Sequence, residues 1–210
     1  NTLVEEKVVT GAKSSKYNAM QNRFSEKAVP LPVSEISRDR LPRLDMTSEE
    51  VNRVLGGGLV PGSLVLLGGE PGIGKSTLSL QLALRARGLK TLYVSGEESP
   101  EQIKIRAERL GGDMDNCLVL AETSLENILA HLRSVKPDMA VIDSIQTIYT
   151  ETIDNSAGGV SQIRECAALL LRYAKETNTP VFIIGHITKD GAIAGPKILE
   201  HIVDVVLQFE

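Results

Sequence analysis

The chain has 210 residues, 42% hydrophobic and 24% charged, with a net charge of −4. That suits one globular domain of about 150–200 residues plus a tail, and it gives no overall cationic attraction to nucleic acid. Aromatics make up 3% and Trp is absent, so the core must be aliphatic. No apolar run of about 18 residues and no signal-peptide core occurs, so no membrane association and a cytoplasmic location are expected.

Residues 1–45 are polar, with prolines spread through their second half, and read as a linker or extended arm. Order is expected over 46–210, beginning with a short helix in TSEEVNRVLGGG, where Thr47 and Glu50 match a capping box and Gly56 a helix stop. Short runs rich in Val, Ile and Leu follow at 63–68, 91–96, 117–122, 139–144 and 180–185, with a last one at 202–209. Helical patterns lie between them; in SQIRECAALLLRYAKE (161–176), Ile163, Ala167, Leu170 and Ala174 share a face. Continuously apolar strands alternating with helices predict an α/β fold, a mostly parallel sheet covered by helices on both faces. Cys117 and Cys166 fit no metal spacing and read as buried, reduced thiols.

The first strand runs into GEPGIGKST, in which Gly69, Gly74, Lys75 and Ser76 satisfy the phosphate-loop pattern G-x-x-x-x-G-K-[ST]. Glycines let the backbone curl until several N–H groups face phosphate oxygens, and the following helix adds its N-terminal dipole. The loop residues Gly69, Glu70, Pro71, Gly72, Ile73, Gly74, Lys75, Ser76 and Thr77 are therefore candidate nucleotide contacts. Lys75 would reach the β- and γ-phosphates of ATP or ADP, and the Ser76 hydroxyl would ligate Mg²⁺. A dinucleotide fingerprint fits worse, because the sixth position counted from Gly72 is Thr77.

Such a loop needs one carboxylate to position the metal and another to activate water. MAVIDS offers Asp143 at the end of an apolar strand, the place of a Walker B aspartate beside the loop. The plain alternative is an Asp capping the next turn. TLYVSGEES offers Glu97 and Glu98 after the second strand; Glu97, nearer the strand end, is the candidate general base. Both could instead simply open the helix that follows.

Together these residues resemble the RecA-like ATPase core. VLGGGLVPGSLVLLGGEPGIGKSTLSLQ, YVSGEES, VIDSIQT and GHITKDGAIAGPKILEHIVDVVLQFE resemble more closely the bacterial RadA (Sms) family of DNA repair ATPases, over most of residues 54–210. The resemblance implies an ATP hydrolase stimulated by single-stranded DNA. It also implies hexameric rings, branch migration of recombination intermediates on branched DNA, and cooperation with the RecA recombinase. The family carries a four-cysteine zinc finger, and NTLVEE resembles the sequence just after it; no C-x-x-C occurs here, so the zinc site is absent from this chain. A chain opening on Asn1 is expected to be a fragment, without the family's Lon-protease-like domain and its Lys-Asn-Arg-Phe-Gly motif. QNRFS at 21–25 only looks like that motif and reads as linker.

The resemblance also assigns the segments after the fourth and fifth strands, 150–161 and 187–196, to the pore of a ring, facing DNA. His186, ending the fifth strand, takes the place of a residue that senses the γ-phosphate. Arg164, Lys189 and Lys197 become candidate contacts to DNA phosphates. A backbone-satisfied histidine and solvated lysines are the plain alternatives. His131 and His201 have no partner pattern and read as structural. Two other functions compete with the motor: a nucleotide-gated assembly switch with little turnover, and a RecA-like kinase of the circadian-clock type.

Overall fold

The computed structural model describes residues 30, 32–35, 42–186 and 196–210. The chain divides into two units, 1–40 and 41–210. Among the described residues of the first, a 3-10 turn spans Val33–Glu35. QNRFS lies outside the described residues.

The second unit opens with helix α1, Glu49–Val54. Its cap is Ser48, whose side chain accepts from the Val51 N–H, rather than Thr47. Thr47 is drawn away because its hydroxyl donates 2.8 Å to the Arg85 carbonyl oxygen and its φ is +52°. The helix ends at Val54, Leu55 is its C-cap, and Gly56 follows with the left-handed φ of +71°.

Strand β1 (Leu64–Gly69), helix α2 (Lys75–Arg85), β2 (Thr91–Ser95), α3 (Pro100–Leu110), β3 (Cys117–Ala121), α4 (Leu125–Val135), β4 (Met139–Asp143), α5 (Val160–Thr177), β5 (Val181–His186), α6 (Pro196–Leu199) and β6 (Val205–Phe209) follow in alternation. The six strands form one sheet in the order β3-β2-β4-β5-β1-β6, every neighbouring pair parallel. The expected α/β class with helices on both faces is what the chain adopts. Strand β5 lies between β1 and β4, so the Asp143 strand is not the direct neighbour of the loop strand.

Strand alternation divides the core cleanly. Leu64, Leu66, Leu92, Val94, Ala140, Ile142, Val181 and Ile183 pack on one face with α4 and α5. Val65, Tyr93, Met139, Val141, Phe182 and Ile184 pack on the other with α2 and α3. Both sets are apolar, which is why the central strands read as unbroken hydrophobic runs. The anticipated buried face of α5 is correct: Ile163, Ala167, Leu170 and Ala174 are all buried. Strand β3 departs from expectation. It is an edge strand, with Leu118 and Val119 exposed, because only β2 pairs with it. Strand β6, the other edge, begins at Val205; the chain turns before it, and the Ile202 and Val203 N–H groups donate back to the Leu199 carbonyl oxygen.

Candidate functional site

Four chain segments converge at the carboxyl ends of β1, β2, β4 and β5. The first is the loop between β1 and α2. Gly72 and Gly74 hold φ values of +77° and +111°, which L side chains rarely adopt, so the turn requires glycine at both positions. Gly74 stands at the N-cap of α2 and has no side chain to satisfy the helix's first N–H groups, leaving them to an anion. Glu70, Pro71, Gly72 and Thr77 face solvent, while Ile73, Gly74 and Ser76 are half-buried.

Lys75, 3% exposed, folds its ammonium back onto the loop, donating to the Gly69 carbonyl oxygen at 2.8 Å and the Glu70 carbonyl oxygen at 2.7 Å. Burial lowers its pKa, and the charges of Asp143 and Glu97 oppose that shift. The lysine thus sits in the field of both candidate carboxylates.

Ser76 donates its hydroxyl to Asp143 Oδ1 at 3.1 Å. Asp143 is 3% exposed, and its other oxygen accepts from the Tyr93 hydroxyl at 2.5 Å. The hydroxyl and the carboxylate fit Mg²⁺, which binds through one or two protein oxygens and completes its shell with water and substrate phosphates. Among the described residues no group of three or more His, Cys, Asp or Glu side chains could hold a metal by itself.

Glu97 and Glu98 precede helix α3 rather than opening it. Ser99 is the N-cap, in a reciprocal capping box with Gln102, and Pro100 takes the first helical position. The Glu97 and Glu98 N–H groups both donate to Ser95 Oγ, at 3.2 and 3.0 Å. Gly96 makes this turn possible: a Cβ there would lie 2.8 Å from Thr147 Cβ, an overlap.

The two acids then part. Glu97 accepts from Ser144 Oγ at 2.7 Å, lies 3.4 Å from His186 Nε2, and keeps 40% of its side chain exposed. Glu98 points the other way, into an ion pair with Arg106 at 2.7 Å. His186 is half-buried; its carbonyl oxygen lies 3.4 Å from Gln146 Nε2. The buried His186 Nδ1 and Gln146 Oε1 have no hydrogen-bond partner among the described residues.

The segment after β4 is anchored, not loose, at its start. Gln162, 1% exposed, accepts from the Thr150 N–H at 2.9 Å and donates to the carbonyl oxygens of Thr150, Ile153 and Asn155 at 3.0, 2.9 and 3.0 Å. Glu126 of α4 takes the Thr150 hydroxyl at 2.6 Å. Arg164 is exposed in the second turn of α5. Lys189 lies outside the described residues, and Lys197 falls in the short α6.

The structure therefore brings Lys75, Ser76, Asp143, Glu97 and His186 together and leaves Arg164 apart at the surface. Sequence reasoning missed Tyr93, Ser144, Gln146 and Arg106. Ser144 adjoins Asp143 and could have been suspected. Tyr93 is one residue in an apolar strand, and only the three-dimensional packing marks it.

A family model described as AAA domain matches residues 32–192. The chain is 52% identical over 212 residues to the DNA repair protein RadA of Halalkalibacterium halodurans, covering 100% of this chain and 46% of that protein. It is 53% identical over 186 residues to the DNA repair protein RadA of Aquifex aeolicus, covering 88% of this chain and 42% of that one. The chain thus spans about half the length of the curated relatives it matches, and the resemblance read from its motifs holds. Among solved structures, a KaiC-like protein from Pyrococcus horikoshii superposes with a TM-score of 0.66 at 21% identity, covering 81% of this chain and 82% of that one. The RadB recombinase superposes with a TM-score of 0.58 at 25% identity, covering 79% of this chain and 82% of that one. The fold is RecA-like.

Proposed function

The chain belongs to the AAA-domain family, and from that premise we propose that it is the ATP-hydrolysing core of a DNA repair and recombination protein. One observation carries the reading. The Ser76–Asp143 pair and the Glu97 carboxylate converge on the buried Lys75 at one edge of the sheet. The loop N–H groups and Lys75 hold the β- and γ-phosphates of ATP. Ser76 and Asp143 would hold Mg²⁺, which would supply charge neutralisation to the phosphates.

Glu97 acts as general base. Ser144 fixes one of its oxygens at 2.7 Å, while its exposure lets water reach it. Water attacks the γ-phosphorus in line as the bond to the bridging oxygen breaks, and its proton passes to Glu97. His186 lies between Glu97 and the segment after β5, so contact of that segment with DNA can alter how Glu97 is held. Arg164, Lys189 and Lys197 supply phosphate contacts to single-stranded DNA. The whole protein acts as a ring, with a cationic side chain of the next subunit completing the site, and migrates branches alongside the RecA recombinase.

ATP hydrolysis with and without single-stranded DNA, at low salt, tests this reading. DNA should accelerate turnover, and a Lys189→Ala/Lys197→Ala double variant should lose the acceleration. Glu97→Gln should bind nucleotide as the parent does and turn over about 10²–10⁴-fold more slowly. Parent-like turnover in Glu97→Gln removes it as the base. Nucleotide binding without turnover in the parent favours the assembly switch, and labelled phosphate appearing on protein favours a kinase.

A further inference from the structure

Asp143 faces the Ser76 hydroxyl with Oδ1, at 3.1 Å. Its other oxygen is more tightly held here. Tyr93, fully buried in β2, donates its hydroxyl to Asp143 Oδ2 at 2.5 Å. The same hydroxyl lies 3.4 Å from the Ser76 carbonyl oxygen and receives Arg106 Nη2 of α3 at 3.4 Å. Arg106 is held in turn by Glu98, through Nη1 to Oε1 at 3.1 Å and Nη2 to Oε2 at 2.7 Å. A continuous chain therefore runs Glu98–Arg106–Tyr93–Asp143–Ser76, beginning one residue from Glu97.

We propose that Tyr93 and Arg106, braced by Glu98, are positioning residues that set the orientation of the Asp143 carboxylate for Mg²⁺. This rests on the reading of Asp143 as the metal-holding carboxylate. The physical argument is rotational. An aspartate carboxylate turns readily about its last bond, and Ser76, at 3.1 Å, is a modest restraint. A buried donor on Oδ2 removes that freedom and leaves Oδ1 aimed at Ser76. The Arg106 charge polarises the Tyr93 hydroxyl and strengthens its donation. Partners behind a metal ligand commonly matter this much: removing one typically costs about 10–100-fold in metal affinity or activity. The adjacent acids divide the labour, Glu97 towards the reacting water and Glu98 towards the support of the metal carboxylate.

Tyr93→Phe deletes the hydroxyl and keeps the ring. The measurement is the Mg²⁺ concentration giving half-maximal ATP binding and half-maximal hydrolysis, beside nucleotide affinity in EDTA and thermal unfolding. Tyr93→Phe should raise the Mg²⁺ requirement about tenfold or more and leave affinity in EDTA within about twofold of the parent. Arg106→Gln and Glu98→Gln, at the partly exposed end of the chain, should shift it in the same direction by less. They carry the test if Tyr93→Phe does not fold. Asp143→Asn separates the two readings. If Asp143→Asn leaves the Mg²⁺ requirement unchanged, the metal-site assignment fails. If Asp143→Asn raises it while Tyr93→Phe, or the two helix variants in its place, lose only thermal stability, the positioning role is overturned.

Discussion

Replacing Gln162 by Leu is a sharp test of how the segment after β4 is held. The amide oxygen accepts from the Thr150 N–H and from Cys166 Sγ, and its two N–H bonds are shared among the carbonyl oxygens of Thr150, Ile153 and Asn155. Leu has similar volume, so no large cavity opens and the loss is polar. Ile153 is half-buried and Asn155 exposed, so their carbonyl groups can turn to water. Thr150, 1% exposed, cannot, and both its N–H and its carbonyl oxygen are orphaned. At about 1–3 kcal/mol for each stranded group, less a return from burying apolar carbon, the net loss is about 2–4 kcal/mol. For a unit of this size that lowers Tm by roughly 10 °C. Urea unfolding followed by circular dichroism measures it. A loss below about 1 kcal/mol would refute the anchoring role. Gln162→Glu sharpens the test. A carboxylate only accepts, so at neutral pH it faces the three carbonyl oxygens with no proton to give and should destabilise more than Leu does. Burial raises such a carboxyl's pKa. Its deficit relative to the parent should therefore shrink as pH falls and protonation restores a donor, and grow as pH rises.

Lys75→Ala should abolish binding of a fluorescent ATP analogue; affinity within about threefold of the parent would remove the lysine from the phosphate site. Gly96→Ala places a carbon 2.8 Å from Thr147 Cβ. The turn carrying Glu97 must shift, so kcat should fall by an order of magnitude or more, and an unchanged kcat contradicts the geometry. Cys166 is buried, which pushes its thiol up to about 12 from an ordinary 9.0. Thiol reagents at pH 8 should reach it only on unfolding. The stability it lends is complete below the ordinary value and is lost as pH rises towards 12. Fast modification of the native protein would contradict that burial.

Much of the site was legible because its parts are local. The phosphate loop, Asp143 and Glu97 each follow an apolar strand, and a parallel sheet brings such strand ends to one edge. Strand order was not legible, because β1–β5 contact and β2–β4 contact depend on pairing between segments distant in sequence. Tyr93 was hidden for a related reason. Both faces of β2 are apolar, so its side chain's direction follows only from helices α2 and α3 packing on that face. Edge strand β3 reads as apolar as its neighbours, and only its place in the order exposes Leu118 and Val119. Ser48 replaced Thr47 as the cap because a contact to Arg85, 38 residues away, competes with the local pattern.

The place of β5 has a mechanical consequence. It is zipped to β1 along six residue pairs, from Leu64–Val181 to Gly69–His186. On its other side β4 accompanies it for three pairs only, ending at Ile142–Ile183. Beyond that point the seam parts like a fork. One main-chain bond, from the Ile145 N–H to the Ile184 carbonyl oxygen at 3.0 Å, and the 3.4 Å contact of Gln146 with His186 bridge the gap. A pull on the chain beyond His186 therefore acts on a strand tip that is riveted to the phosphate-loop strand and only stitched to the Asp143 strand. Force entering there would widen or narrow the cleft between the two halves of the site without unzipping a strand ladder.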